Sequence, residues 1–234
     1  MRTELVGTPY VIDQQDGHNY NLDSILLANF IKHIPQDVQE IVDFGTGQGV
    51  LMFYLSLKTK AKLIGYDIQD TLIELAKKNI KINGLQHQID ADLKDIKDIH
   101  LKQAQMIVSN PPYFKVTKNI PLSETMSRSI ARHELKITLE DLFKKVSQSL
   151  RTKGVFYMSY RPDRLSELFV LGKKYQLSLK EVQNVHPYIN KEAHLLLLKF
   201  VKGGNDGVKI LNPLVLYEDK GKMTPTLEKI YKGV

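Results

Sequence analysis

Short apolar runs alternate with stretches of helical period along most of the chain. Ile41-Val42-Asp43-Phe44, Leu63-Ile64-Gly65-Tyr66-Asp67, Ile89-Asp90-Ala91-Asp92, Met106-Ile107-Val108-Ser109 and the segment from Gly154 to Ser159 each read as a strand. Apart from Ile89-Asp90-Ala91-Asp92, their apolar positions are nearly continuous rather than alternating, which predicts strands buried on both faces. Between them, Val50 to Leu55 reads as a helix, and Leu72, Leu75, Ala76 and Ile80 recur at helical spacing, with Thr71 as N-cap and Gly84 as the stop. Thr138 opens a further helix in which Asp141 completes a capping box and Leu139, Leu142, Phe143, Val146 and Leu150 form the apolar stripe. Arg164 to Lys174 is amphipathic. Leu177 to Val185 and Ala193 to Val201 are predicted to be a closing strand pair, with Leu195 to Leu198 as a central, fully buried run. Near the start, Ile25 to Ile31 forms an apolar helix with Asp23 or Ser24 as N-cap. The alternation predicts an α/β fold: a mostly parallel seven-stranded sheet with an antiparallel last strand and helices on both faces. Residues 1–202 form this domain. Gly203-Gly204-Asn205-Asp206-Gly207 is a joint, and residues 203–234 are a basic C-terminal extension.

The chemistry-bearing residues cluster at predicted strand ends, where open α/β sheets bind ligands. The first strand runs into Gly45-Thr46-Gly47-Gln48-Gly49, and glycines at alternate positions let the backbone turn tightly and approach a ligand at a helix N-terminus. The next strand ends in Asp67, at the spacing used to hold ribose hydroxyls in nucleotide-binding folds. The spacing is GxGxG rather than the dinucleotide GxGxxG, and it resembles motif I of methyltransferases that use S-adenosylmethionine. The third strand ends in Asp92, similar in place to the residue that accepts from that cofactor's adenine amine; Asp90 is the less favoured choice.

The fourth strand ends in Asn110-Pro111-Pro112-Tyr113. A conjugated amine, such as the exocyclic amine of adenine or a glutamine amide, is a poor nucleophile because its lone pair is delocalised. An asparagine carbonyl and a backbone carbonyl held rigid by proline can each accept one of its N–H groups and stabilise the charge that develops on attack at a methyl group. Tyr113, backed by Phe114, offers a ring on which a flat base can stack, a contact of about 1–3 kcal/mol in single-strand binders. Asp23 caps its helix or meets the methionine end of the cofactor, Ser24 is read as capping alone, and His18 as structural.

The chain has 234 residues, 42% hydrophobic and 25% charged, ordinary for a globular domain, and it carries 33 Lys and Arg against 26 Asp and Glu. Two segments hold most of the excess. Residues 115–136 have five basic and two acidic side chains, and residues 199–234 have seven and four. The first follows the Asn-Pro-Pro-Tyr motif and lacks periodicity, as a substrate-facing loop would. Within it, Arg128 and Arg132 suit phosphate better than lysines because guanidinium binds phosphate bidentately. The C-terminal extension packs on the domain or touches RNA. The chain has no cysteine, which excludes disulfides, thiolate metal sites and cytosine-C5 methylation through a covalent thiolate. No apolar run approaches a membrane span.

Asp43-Phe44-Gly45-Thr46-Gly47, Asn79 with Asn83-Gly84-Leu85, Asn110-Pro111-Pro112-Tyr113-Phe114, Ala131-Arg132-His133-Glu134 and Leu22-Asp23-Ser24-Ile25-Leu26-Leu27 together resemble the bacterial valine-tRNA adenine-37 N6-methyltransferase family, over about residues 5–230. The glycine and Asn-Pro-Pro-Tyr motifs are shared across N6-adenine and glutamine methyltransferases, so the chain ends and Ala131–Glu134 carry the finer assignment. The resemblance implies one Rossmann-like class I methyltransferase domain that transfers a methyl group from S-adenosyl-L-methionine, giving S-adenosyl-L-homocysteine, to N6 of the adenine beside the anticodon of a valine tRNA. It implies tRNA as partner and no metal; the lack of a membrane-length apolar run leads to the expectation of a cytoplasmic protein with no membrane partner, and a monomer is favoured with the oligomeric state left open. The cofactor contacts on this resemblance are Asp23, Asp43, Gly45, Thr46, Gly47, Asp67, Ile68, Asp92, Leu93 and Asn110. The catalytic set is Asn110, Pro111 and Tyr113. The RNA contacts are Tyr113, Phe114, Lys115, Arg128, Arg132 and His133. Gln48, polar at a variable position of the loop, is the one departure. The rival readings are glutamine methylation of a release factor, adenine methylation of DNA or ribosomal RNA, and a non-catalytic RNA binder on the same fold. The basic surplus weighs against the glutamine reading.

Overall fold

The structure, a computed structural model, describes residues 2–14, 22–111, 137–219 and 221–233. Its main sheet contains β3 (Glu40–Phe44), β4 (Lys62–Asp67), β5 (Ile89–Leu93), β6 (Ala104–Ser109), β7 (Leu150–Tyr160), β8 (Leu177–Tyr188), β9 (Leu195–Lys202), β10 (Lys209–Ile210), β11 (Leu214–Asp219) and β12 (Lys222–Met223). Across the sheet the order is β12-β11-β8-β9-β7-β6-β3-β4-β5, with β10 also paired to β8. Neighbours from β7 to β5 are parallel, whereas β9 runs antiparallel to both β7 and β8. The seven central strands, β8 to β5 in that order, are the predicted mostly parallel sheet with its antiparallel last strand. The expectation of seven strands falls short, because β10, β11 and β12 widen the sheet to ten strands among the described residues. β11 runs parallel to β8 in register Val215↔His186 and Tyr217↔Tyr188.

Helices α1 (Leu22–Phe30), α2 (Val50–Ser56), α3 (Asp70–Ile82) and α6 (Pro225–Tyr231) contribute to one core layer, and α4 (Leu139–Ser149) and α5 (Leu165–Lys174) to the other. The central strands bury both faces: Leu195 and Leu197 of β9 enter the first layer, Leu196 and Leu198 the second, all at most 2% exposed. That two-sided burial is why the run carries no polar alternation. The Thr138–Asp141 capping box forms as expected at the start of α4. Gly84, at φ +68°, closes α3 in a Schellman motif, with Leu85 N–H donating to Ile80 O at 3.1 Å and Gly84 N–H to Lys81 O at 3.2 Å. Thr71 is not the cap of α3. That helix starts at Asp70 behind Gln69, whose backbone N–H donates to the Asp67 carboxylate at 3.0 Å. Neither Asp23 nor Ser24 precedes α1, since both lie inside its first turn.

The N-terminal hairpin, β1 (Arg2–Glu4) with β2 (Val11–Asp13), is tied to α3 by two side-chain amides. Asn79 accepts from Asp13 N–H at 2.8 Å and donates to Asp13 O at 3.2 Å; Asn83 does the same with Val11, at 3.0 and 2.7 Å. Each amide therefore stands where a neighbouring strand's peptide would. Asn79 is fully buried. Replacing it with alanine strands two backbone groups at about 1–3 kcal/mol each. Asn79→Ala is expected to lower unfolding free energy by about 2–4 kcal/mol in urea titration, and a loss below about 1 kcal/mol would show that water replaces the amide.

Candidate functional site

The crevice of an open α/β sheet forms where the strand order reverses, and here that point lies between β3 and β6. β3 delivers the glycine turn and β6 delivers Asn110. The two strand tips are fastened by the fully buried Ser109, whose hydroxyl donates to Phe44 O at 2.6 Å.

Gly45 and Gly47 adopt φ of +77° and +55°, a region that β-carbons disfavour. The N–H groups of Gly45 and Thr46 both donate to Tyr66 O, at 2.8 and 3.1 Å, which locks the turn onto β4. A β-carbon built on Gly45 or Gly47 would meet nothing within 4 Å among the described residues, so the space beside the turn is open there. Gly47 N–H donates to the Asp67 carboxylate at 2.9 Å, which fixes that acid against the loop. Gly65, beneath it, is glycine for another reason: an added β-carbon would lie 2.6 Å from Thr46 Oγ1 and 2.7 Å from both Thr46 Cβ and Met52 Cε.

Asp43, opposite Gly65 in the ladder, is 2% exposed, and neither carboxylate oxygen has a hydrogen-bond partner among the described residues. Burial pushes its pKa up to about 7. The nearby Thr46 hydroxyl opposes the rise at a geometry short of a full hydrogen bond, and the Asp67 charge adds to it. A buried carboxylate without donors among the described residues is costly, and its environment suits a cation or a donor brought by a ligand.

At the tip of β6 the Asn110 amide is held from two sides. Its Nδ2 donates to Ser24 Oγ at 2.9 Å, and its Oδ1 accepts from the Ser159 hydroxyl at 2.5 Å. Ser24 is 9% exposed and Ser159 is fully buried, so both hydroxyls are fixed by packing. Ser24 thus points at Asn110 rather than serving as the predicted helix cap. Ser159 was legible as the one polar residue ending an apolar strand, but nothing in sequence spacing links it to residue 110.

The structure brings Asp43, Gly45, Thr46, Gly47, Asp67, Asn110 and Pro111 to adjoining tips of β3, β4 and β6. Asp92 and Leu93 lie at the tip of β5, both largely exposed, with Asp92 4.0 Å from Lys77; Ile68 follows Asp67 and is half-buried. Asp23 sits in the first turn of α1, next to Ser24. Tyr113, Phe114, Lys115, Arg128, Arg132 and His133 lie outside the described residues, as do Pro112 and His18. Among the described residues no cluster of three or more His, Asp or Glu suits a metal ion, and no helix is long and apolar enough to cross a membrane.

Residues 23–161 match the family model described as the methyltransferase small domain. The chain belongs to this family. It is 27% identical over 179 residues to the tRNA1(Val) (adenine(37)-N6)-methyltransferase of Phocaeicola vulgatus, covering 76% of this chain and 74% of that one. The protein of the same name from Shewanella woodyi is 22% identical over 235 residues, 96% of this chain and 95% of its own length. Among solved structures, an Agrobacterium tumefaciens protein described as a predicted O-methyltransferase superposes with a TM-score of 0.70 at 17% identity, covering 91% of this chain and 97% of that chain. That likeness speaks for the class I methyltransferase fold.

Proposed function

We propose that the protein transfers a methyl group from S-adenosyl-L-methionine to the exocyclic N6 amine of an adenine in tRNA, adenine-37 beside the anticodon of a valine tRNA. The observation that carries this reading is the placement of Asn110, clamped by Ser24 and Ser159, one strand away from the open glycine turn and the buried Asp43. The names of the relatives supply the substrate.

The residues of the crevice fit the cofactor. The turn at Gly45 and Gly47 leaves room for a ligand against bare backbone, Asp67 at the next strand tip suits a ribose diol, and Asp43 supplies buried negative charge toward a cationic ligand. When bound, S-adenosylmethionine supplies a methyl group on a positively charged sulfur, which leaves as a neutral thioether. The chain then has to orient and polarise the amine. Asn110 Oδ1 and the rigid Pro111 carbonyl accept the two N–H groups, which draws the nitrogen towards tetrahedral geometry and stabilises its growing positive charge. Alignment supplies much of the remaining rate, because a bound amine and methyl donor react as if intramolecular. The methylated nitrogen is strongly acidic and releases its extra proton to water. A loop adenine leaves its stack more cheaply than a duplex base, which favours a structured RNA loop over DNA.

The test is methyl transfer from labelled S-adenosylmethionine to bulk tRNA, protein and DNA, followed by mass spectrometry of the tRNA. N6-methyladenosine at position 37 of a valine tRNA is expected. Label confined to protein would replace this reading with glutamine methylation, and label in none would replace it with a non-catalytic binder.

Gly65→Ala tests the cradle. The new methyl group cannot coexist with Thr46 Cβ, so the turn or β4 must shift. The expected result is a stability loss of about 1–3 kcal/mol in thermal unfolding, together with a marked loss of cofactor affinity by calorimetry. Unaltered affinity would place the cofactor away from this turn.

A further inference from the structure

The carboxyl rim of the sheet does not stop at Asn110. β7 ends at Tyr160, one residue beyond Ser159, with Arg161 next in the chain, and β9 begins beside it with Leu195 paired to Val185 of β8, so His194 and His186 continue the row. The parallel strand β11 carries it on through Tyr217, opposite Tyr188. β8 overshoots this rim. From Val185, whose carbonyl accepts from His194 N–H at 2.9 Å, the chain rises through Tyr188 and Ile189 and returns through Lys191, whose carbonyl is 2.8 Å from His186 Nδ1. The tip so formed is braced by the Tyr188 and Tyr217 rings, with centroids 5.9 Å apart.

Two properties of this tip are not explained by packing. Ile189 is 77% exposed although a pair of tyrosines holds its base rigid. The cations Arg161 and Lys191 are both exposed, and among the described residues Arg161 has a single loose pair at 3.7 Å with Asp163, each side chain more than half in water. Such a pair contributes little and yields readily to a stronger anion. Glu192 is the acid of the tip, whereas Arg161 and Lys191 supply its positive charge and the His186 and His194 rings add polar nitrogens. The rim also lies within electrostatic reach of α1. Burial holds the His194 imidazole below the usual histidine range, Asp23 of α1 opposes that fall, and Arg161 and His186 add to it. Asp23 is the neighbour of Ser24, which holds Asn110.

Resting on the proposed function, we propose that this rim and the 186–194 tip are a second RNA contact, in which Arg161 and Lys191 bind phosphates flanking the target nucleotide and Ile189 with Tyr188 supports an unpaired base. The tip stands three strand spacings from β6, roughly 14 Å, which is too far for the target base and suited to flanking nucleotides. Phosphates position such a complex while the pocket selects the base. An acidic protein is the other partner that a cationic tip would suit, but the adjoining pocket and the flat aromatic support favour nucleic acid.

The experiment measures binding of a valine-tRNA anticodon stem-loop transcript to the full chain as a function of salt, for the wild type, Arg161→Ala, Lys191→Ala, Arg161→Lys and Ile189→Ala. Each alanine substitution at a cation is expected to weaken binding severalfold and to reduce the slope of log affinity against log salt by about 1. Arg161→Lys should restore most of the slope. Ile189→Ala should weaken binding with the slope unchanged. Thermal midpoints and S-adenosylmethionine affinity should remain at wild-type values throughout, because all three side chains are exposed and off the cradle. Wild-type RNA affinity and slope in both cation variants would overturn the inference. The two readings separate cleanly: a wild type that binds RNA through this rim yet methylates none fails the proposed function, whereas one that methylates RNA with the rim neutralised fails this inference.

Discussion

Asn110→Ala is expected to lower the turnover number for tRNA methylation by a factor of about 10²–10³ while S-adenosylmethionine binds almost as tightly as before. That range is the usual penalty for deleting one preorganised polar group aimed at developing charge in a water-excluded site. The separation of the two effects follows from geometry. The glycine turn, Asp43 and Asp67 belong to β3 and β4, whereas Asn110 belongs to β6 and is fixed by Ser24 and Ser159, so its loss leaves the cradle standing. Single-turnover kinetics with saturating tRNA, beside calorimetric titration of the cofactor, give both quantities. Ser159→Ala provides the internal comparison: it keeps the amide but removes the donor that orients its oxygen, so turnover should fall less than in Asn110→Ala. Equal turnover in Asn110→Ala and the wild type would remove Asn110 from the chemistry.

The sequence revealed the parts of this molecule whose physics is periodic. β3, β4, β6 and β9 are buried on both faces and therefore appear as unbroken apolar runs, and α4 announces itself through Thr138 and Asp141. The glycine turn and Asn110 were legible because they sit where such runs end. Features held by long-range polar contacts left no pattern. The β1–β2 hairpin has three-residue strands, and Asn79 and Asn83 complete its ladder from a helix more than sixty positions away in the chain. β10 and β12 have two residues each, too short for any alternation, whereas the six-residue β11 lies in what reads as the C-terminal extension, so the sheet is wider than the seven strands expected. Ser24 looked like a cap because capping is the commonest use of a serine near a helix start, and only the return of β6 shows it facing Asn110. The Thr71 assignment to the cap of α3 failed for a related reason: Asp67, at the end of the strand, already holds the amide at the turn into the helix.

Asp43 is expected to make the proposed cofactor site sensitive to pH, and the sign is fixed by its burial. In the unfolded chain its carboxyl has an ordinary pKa of 3.8, and in the folded protein it titrates at about 7. The native state therefore holds a proton that the unfolded state has lost across that interval, so the stability associated with protonated Asp43 is complete below about pH 4 and disappears as pH rises through about 7. The difference corresponds to about 4 kcal/mol. The cofactor-free protein should accordingly become less stable between pH 5 and pH 8 by a few kcal/mol, and the D43N variant, which carries no charge at this position, should lose most of that dependence and be the more stable of the two at pH 8. Binding runs the other way. A cationic ligand requires the ionised carboxylate, so wild-type affinity for S-adenosylmethionine should increase from pH 6 to pH 8, with close to one proton released at pH 6 and almost none at pH 8.5, as read by calorimetry in buffers of different ionisation enthalpy. The D43N variant should bind weakly at every pH with no proton release. Proton release that persists in D43N would assign the titration to another group, and a wild-type affinity flat across this range would mean that the carboxylate faces no positive charge in the complex.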